Sequence, residues 1–361
     1  MKSARQLMSP RMQQPSPRRD LTLLPKAHLH LHFTGSLDVA TLRELAEFGG
    51  VPLPESLVDA DPLSVPQTTR GWHRFQRSYD TARLVVTSEH AIRRVVEAAV
   101  ANDAREGSRR LEIQIDPTSY APHVGGLVES LEIVLDEARS ASTRYGVSVG
   151  VVVAASRLRN PIEAETLARL AVRHAGDGPG DVVAFGLSND EHAGVTEEWS
   201  HAFSIARRGG LAGVPHGGEL CGPDHVRRVV GALVPTRLGH GVRATEDPAL
   251  LAELVAAGIA FEVCPTSNVH LGVYETAADV PLRALVDAGA TVALGADDPL
   301  LFLSRLTDQY VLARDVHGFS DAELAGLARS SIRASLASPT DKAVWLAEVD
   351  AWVAGPPEER T

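Results

Sequence analysis

The sequence predicts a (β/α)₈ barrel of the TIM type, with extra helices inserted after its first strand and at its C-terminus. Three observations lead there. Eight short apolar runs alternate with helical patterns along the chain. Most of these runs are continuously apolar, as parallel strands buried on both faces must be. Polar residues collect directly after them, on the face where such a barrel carries its chemistry.

The first strand is "AHLHLHF" (27–33), with His28, His30 and His32 at alternate positions and leucines between. That period of two belongs to a β-strand and puts three imidazoles on one face. Clustered imidazoles are costly to desolvate unpaired, and a metal ion is the economical reason to keep them together. Residues 38 to 108 are too many for one crossover and must hold additional helices. Trp72, Phe75 and Tyr79 lie there at i, i+3 and i+7, so they share one helical face, for which core packing is the plain reading. The remaining strands are "LEIQID" (111–116), "VSVGVVVAA" (147–155), "DVVAFGL" (181–187), "LAGVPH" (211–216), "RLGH" (237–240), "IAFEVCP" (259–265) and "TVALGAD" (291–297). Segments such as "IEAETLARLAVRHA" and "DPALLAELVAAG" between them have the 3.6-residue spacing of amphipathic helices. After about residue 303 the pattern is helical again, as in "SDAELAGLARSSIRASLA". A doubly wound open sheet is the alternative, but no GxGxxG follows the first strand.

Composition narrows the function. The chain has 361 residues, 44% of them hydrophobic, and a net charge of −11. A nucleic acid or an anionic membrane is therefore not the expected partner. Cys221 and Cys264 are the only two cysteines, too few for a disulfide framework or a thiolate zinc site. No apolar run is long enough to span a membrane. Residues 1–20 are basic and proline-containing and lack the apolar stretch of a secretory signal. They are expected to form a disordered tail on a single domain covering 21–361, and the protein is expected in the cytoplasm.

The strand ends hold His30 and His32, then "NDE" (Asn189, Asp190, Glu191), "HGGE" (His216, Glu219), "GHG" (His240), "CPTSN" (264–268) and "GADDP" (Asp297, Asp298). Each has an ordinary reading as a cap, turn or loop residue. Together they could give three imidazoles and a carboxylate to one ion, a zinc-type donor set without thiolate.

In this order "HLHFTGSL", "HGGE", "RLGHG", "VCPTSN" and "GADDPLLF" closely resemble the adenosine deaminase family of the metal-dependent amidohydrolases. The resemblance runs from about residue 25 to about 337. It implies one Zn²⁺ per chain, held by His30, His32, His216 and Asp297, with His32 also beside the substrate. His28 falls where the family often has Glu and is not expected to be a ligand. By the same resemblance Glu219 is the proton donor to purine N1, His240 orients the attacking water, and Asp298 contacts N7. The implied reaction is hydrolytic deamination of a 6-aminopurine nucleoside, with adenosine or 2′-deoxyadenosine first. Alternatives are a 5′-modified adenosine (aminodeoxyfutalosine, methylthioadenosine or S-adenosylhomocysteine) or free adenine. The chain departs from the family pattern at Thr34, where many members have a carboxylate near the ribose 5′ end, and at Asn189, where many have Gly facing N3. These two residues are the candidate contacts on the sugar side.

The chemistry needs these residue types on its own account. Replacing an aromatic amine by oxygen requires a nucleophile potent at neutral pH, which a metal-lowered water pKa of roughly 7 supplies. Attack at C6 drives electrons onto the ring, so N1 must gain a proton from a carboxylic acid kept neutral. A binuclear amidohydrolase is a rival, but its bridging lysine has no counterpart in "DVVAFGLSND". A His/Cys/Cys zinc deaminase is excluded by the two isolated cysteines. A catalytically silent nucleoside- or zinc-binding barrel would be expected to lack Glu219 or His240.

Overall fold

A computed structural model of the chain describes residues 18–58 and 61–356. Eight strands form the barrel: β1 (Lys26–His32), β2 (Ser108–Ile115), β3 (Ser148–Ser156), β4 (Val182–Ser188), β5 (Ala212–Pro215), β6 (Arg237–Gly239), β7 (Ala260–Val263) and β8 (Val292–Leu294). All neighbours pair in parallel, in a five-stranded sheet β1–β5 and a three-stranded sheet β6–β8. Two parallel bridges, His216 to Gly239 and Leu31 to Asp297, join the two sheets into a closed barrel. At the second joint the Asp297 N–H donates to the His30 carbonyl (3.1 Å) and the His32 N–H donates to the Asp297 carbonyl (3.0 Å). Closure of the barrel and placement of three site residues are therefore one event.

The apolar runs are buried as expected: Val149, Val151 and Val153 of β3 and Leu111, Ile113 and Ile115 of β2 are essentially inaccessible. β2 begins three residues before the run 111–116. Its first turns carry charge, and Arg110 is fully buried because Glu112 (3.1 Å) and the Ser148 hydroxyl (3.0 Å) accept from it. The insertion after β1 contains helices Val39–Gly49, Thr69–Arg83 and Glu89–Arg105. Each starts on a side-chain cap, from Asp38, Thr68 and Ser88 respectively, which satisfies an orphan N–H of the first turn. Helices Leu306–Asp315, Asp321–Ala334 and Pro339–Ala354 close the chain. Helix Asp321–Ala334 starts with a Ser320/Glu323 capping box and packs over the β8–β1 joint, where the Ser331 hydroxyl accepts from the Ala27 N–H.

Of the expected tail 1–20, residues 1–17 lie outside the described residues. Arg19 is fixed rather than disordered: its guanidinium donates to the carbonyls of Trp352, Val353 and Gly355 at the end of the last helix. Among the described residues no helix is long and apolar enough to cross a membrane.

Candidate active site

His30 and His32 end β1, Asn189 follows β4, His216 and Glu219 follow β5, His240 follows β6, and Asp297 and Asp298 follow β8. The C-terminal strand ends thus bring together residues up to 268 positions apart. One ligand atom from each of His30, His216, His240 and Asp297 lies within 4.8 Å of the others, and all four residues are buried. His32 stands at the edge of this group, its Nε2 3.1 Å from Asp297 Oδ1. His30 Nε2 is 3.4 Å from the same oxygen. Five donors therefore surround one point, and the most compact four include His240 in place of His32.

A second layer fixes how each ring is presented. The His30 Nδ1–H donates to Glu262 (2.8 Å), which leaves Nε2 as a bare lone pair; this atom is buried and has no hydrogen-bond partner. The His216 Nδ1–H donates to the Leu187 carbonyl (3.1 Å). The Asn268 amide donates to His240 Nδ1 (3.3 Å), so that the proton of His240 sits on Nε2, 3.5 Å from Glu219 Oε1. The Ser267 hydroxyl donates to Asp297 Oδ2 (2.5 Å). An orphaned imidazole lone pair among neutral rings and a carboxylate suits a divalent metal with borderline ligand preference.

Electrostatics divide the group by role. Burial and the neighbouring imidazoles hold His216 well below its ordinary pKa, and burial takes His240 down to about 3. Burial also opposes charge on His30, yet the Asp297 and Glu262 carboxylates beside it raise it to about 10: they call for a cation, proton or metal, at this point. Asp297 is the reverse case, held well below the carboxylate range despite burial by His30 and His32. Burial and the charge of Asp297 push Glu219 and Asp298 well above that range, so both favour the neutral acid. Asp298 Oδ1 is buried without a hydrogen-bond partner.

The backbone is strained in the same place. His240 (φ 59°), Asp297 (φ 61°) and Asn189 (φ 79°) adopt the left-handed region that side chains other than Gly rarely enter. Asn tolerates it best, which explains how Asn189 stands at a position often filled by Gly. Gly35 is required by proximity instead: a Cβ there would lie 1.8 Å from Asp298 Oδ1.

A cavity of about 370 Å³ opens onto the group, lined among others by His32, Trp72, Phe75, Tyr79, Arg83, Asn189, Glu219, His240 and Asp298. The aromatic face of helix Thr69–Arg83 thus forms part of its wall, with Phe75 stacked 5.8 Å from Phe302. One expectation, at Thr34, needs correction, whereas His28 simply stands apart from the other two histidines. The β1–β2 register shifts between His28 and Leu31, and His28 is occupied by Asp103 (3.0 Å) and by the Ala296 N–H (3.0 Å). Thr34 does not line the cavity: it is fully buried, with its hydroxyl 2.6 Å from that of Tyr120. Sequence reasoning gave no role to Glu262, Ser267, Asn268 or Arg83. Their neighbours in space are far away in the chain, and only a buried Glu inside the apolar run "IAFEVCP" could have signalled one of them.

The adenosine deaminase family model matches residues 25–352. A putative adenosine/adenine deaminase of Streptomyces virginiae is 54% identical over 338 residues, 93% of this chain and 99% of that protein. An adenine deaminase of Agrobacterium fabrum is 33% identical, covering 86% of this chain and 93% of its own. The crystal structure of an adenine deaminase from Arthrobacter aurescens superposes with a TM-score of 0.82 at 29% identity, over 92% of this chain and all of that one. The closed parallel barrel is shared with that structure, and the chain belongs to the adenosine deaminase family of metal-dependent hydrolases that act on C–N bonds.

Proposed function

We propose that the protein hydrolyses free adenine to hypoxanthine and ammonia at this cavity, with a single zinc ion bound by histidines and Asp297. The observation that carries the choice of free base is Thr34. Thr34, which the family resemblance sets near a nucleoside's 5′-hydroxyl, is buried with its own hydroxyl against that of Tyr120 and does not line the cavity. Relatives that are 31–33% identical and bear a definite substrate name are adenine deaminases.

His30, His216 and Asp297 would hold the ion together with His32, which leaves His240 free for the water. The metal supplies a Lewis acid that makes a water molecule nucleophilic near neutral pH. Every other part of the reaction falls to side chains. Glu219, neutral in its buried setting, gives its proton to N1 as C6 becomes tetrahedral. His240, its Nδ1 taken by the Asn268 amide, donates from Nε2 to orient the water; of the water's two protons one re-protonates Glu219 and the other leaves with the amine as ammonia. Asp298, also favouring the neutral form, donates to N7. Asn189 faces the N3 edge, and Trp72, Phe75 and Tyr79 exclude solvent. Water adds, ammonia leaves, and the 6-oxopurine remains.

Adenosine is the second reading. It is favoured by the outward extension of the cavity to Asp80, Arg83, Asp116 and Arg159, which gives a sugar room and polar partners. The test is ammonia release from adenine, adenosine and 5′-methylthioadenosine, with and without a chelator. Adenine should have the highest kcat/KM, and the chelator should abolish turnover. A higher value for adenosine overturns the free-base assignment while leaving the deaminase chemistry intact.

A further inference from the structure

Glu191, in the "NDE" segment after β4, has no part in the chemistry just described, yet it is 3% exposed and carries a carboxylate into the barrel mouth. Its two oxygens accept from three consecutive backbone N–H groups: Glu219 (3.1 Å), Leu220 (3.0 Å) and Cys221 (2.8 Å). Three successive amides converging on one buried anion form a nest, which is normally filled by a ligand. Here a side chain from the neighbouring strand end fills it. The first of the three amides is that of Glu219 itself.

The rest of the segment is held from the other side. Arg157, buried after β3, donates to the His216 carbonyl (3.2 Å). Gln67 and Arg243 both donate to the Leu220 carbonyl. Gly218 turns the chain in the left-handed region (φ 85°), between the imidazole and the acid. The conformation of 216–221 is thus set by side chains from four other segments, as needed to keep an acid within a fraction of an ångström of its target.

We propose that Glu191 is a positioning residue that fixes the backbone of Glu219 and so aims its carboxyl at the purine N1. This inference rests on the reading of Glu219 as the proton donor. Charge-assisted bonds from three amides are directional and stronger than neutral ones. A glutamine at 191 keeps the volume but brings an NH₂ against at least one of the N–H groups, with one acceptor oxygen left for the others.

The experiment measures kcat and KM for adenine, bound zinc, and binding of a 1,6-hydrated purine analogue in wild type, Glu219→Gln, Glu191→Gln and Glu191→Asp. Glu191→Gln should retain its metal and its KM, while kcat falls about 10- to 100-fold, the scale of a misaimed catalytic group. The analogue, which carries N1–H and a tetrahedral C6, should lose affinity by a similar factor. Glu191→Asp, which restores the carboxylate at shorter reach, should recover part of kcat. Hydrogen exchange on the wild type tests the nest without any substitution: the amides of 219, 220 and 221 should be protected. The inference is overturned if Glu191→Gln keeps kcat within about twofold while Glu219→Gln is inactive. It is equally overturned if those amides exchange like an open loop, or if Glu191→Gln loses metal rather than kcat. Normal turnover by Glu219→Gln would instead remove the proton-donor reading, and this inference with it.

Discussion

Glu219 and Asp297 are both buried carboxyls on the same barrel face, and their surroundings drive them in opposite directions. Asp297 has imidazole donors on it and stays ionised. Glu219 is buried, with Asp297 and Glu191 as negative neighbours, so the neutral acid is favoured. Such divergence between two nearby acids is how one site obtains a ligand and a proton donor from the same functional group. The sign of the pH effect follows. In the proposed role of proton donor Glu219 must hold its proton, so activity is expected in full below its raised pKa and is lost as pH rises through it. Glu219→Gln should keep metal and fold but lose about 10²-fold or more in kcat. Its remaining rate should lack that alkaline limb in a kcat–pH profile, whereas an unchanged limb would assign it to another group.

At the scale of elements, β2, β6 and β7 share a buried charge network behind the site. Arg237 on β6 donates to Glu262 on β7 (2.5 Å) and to Glu112 on β2 (2.6 Å), and Arg110 donates to Glu112. All four side chains are at most 2% exposed. The same Glu262 holds Nδ1 of His30, so the network orients the site as well as bracing the barrel. Burial would raise both glutamates, but the arginines hold them below the ordinary carboxylate value. Arg237→Met leaves buried Glu262 without its guanidinium and Glu112 with Arg110 alone, and should destabilise by about 3–5 kcal/mol. Arg329→Ala, which breaks an ion pair with the exposed Asp350, should cost at most about 1 kcal/mol. Denaturant midpoints of the two variants provide the comparison.

At the scale of the molecule, the site closes the barrel. Asp297 exchanges backbone hydrogen bonds with His30 and His32 across the β8–β1 joint, while its side chain belongs to the His/Asp group. Metal that ties these residues together should therefore stabilise the whole fold. At metal a hundredfold above its Kd this linkage is worth about 2.7 kcal/mol, so chelation should lower Tm by several degrees. His32→Ala should weaken metal retention and shrink that shift. His28→Gln, which alters only the bonds to Asp103 and Ala296, should leave the shift in place. Equal loss of metal in both variants would show that His28 belongs with the ligands.

What the sequence determined by itself was everything carried by local pattern. Apolar runs of strand length located all eight strands, because burial on both faces of a parallel sheet writes itself into consecutive residues. Apolar spacing near 3.6 marked helices such as Asp321–Ala334, because residues three and four apart fall on one face. Residues at the strand ends supplied the candidate site, since a barrel gathers those ends on one face whatever their distance in the chain. Only the tertiary structure decided what depends on distant partners. The alternation of β1 put His28 on one face with His30 and His32, and only a register shift and Asp103, 75 residues away, decide where its ring is held. Thr34 looked like a substrate contact until Tyr120, 86 residues on, closed over it. The orientation of His30 depends on Glu262, 232 residues away. A side chain's type is written in the sequence, but its ionisation and aim are set by neighbours that barrel closure brings within hydrogen-bond range.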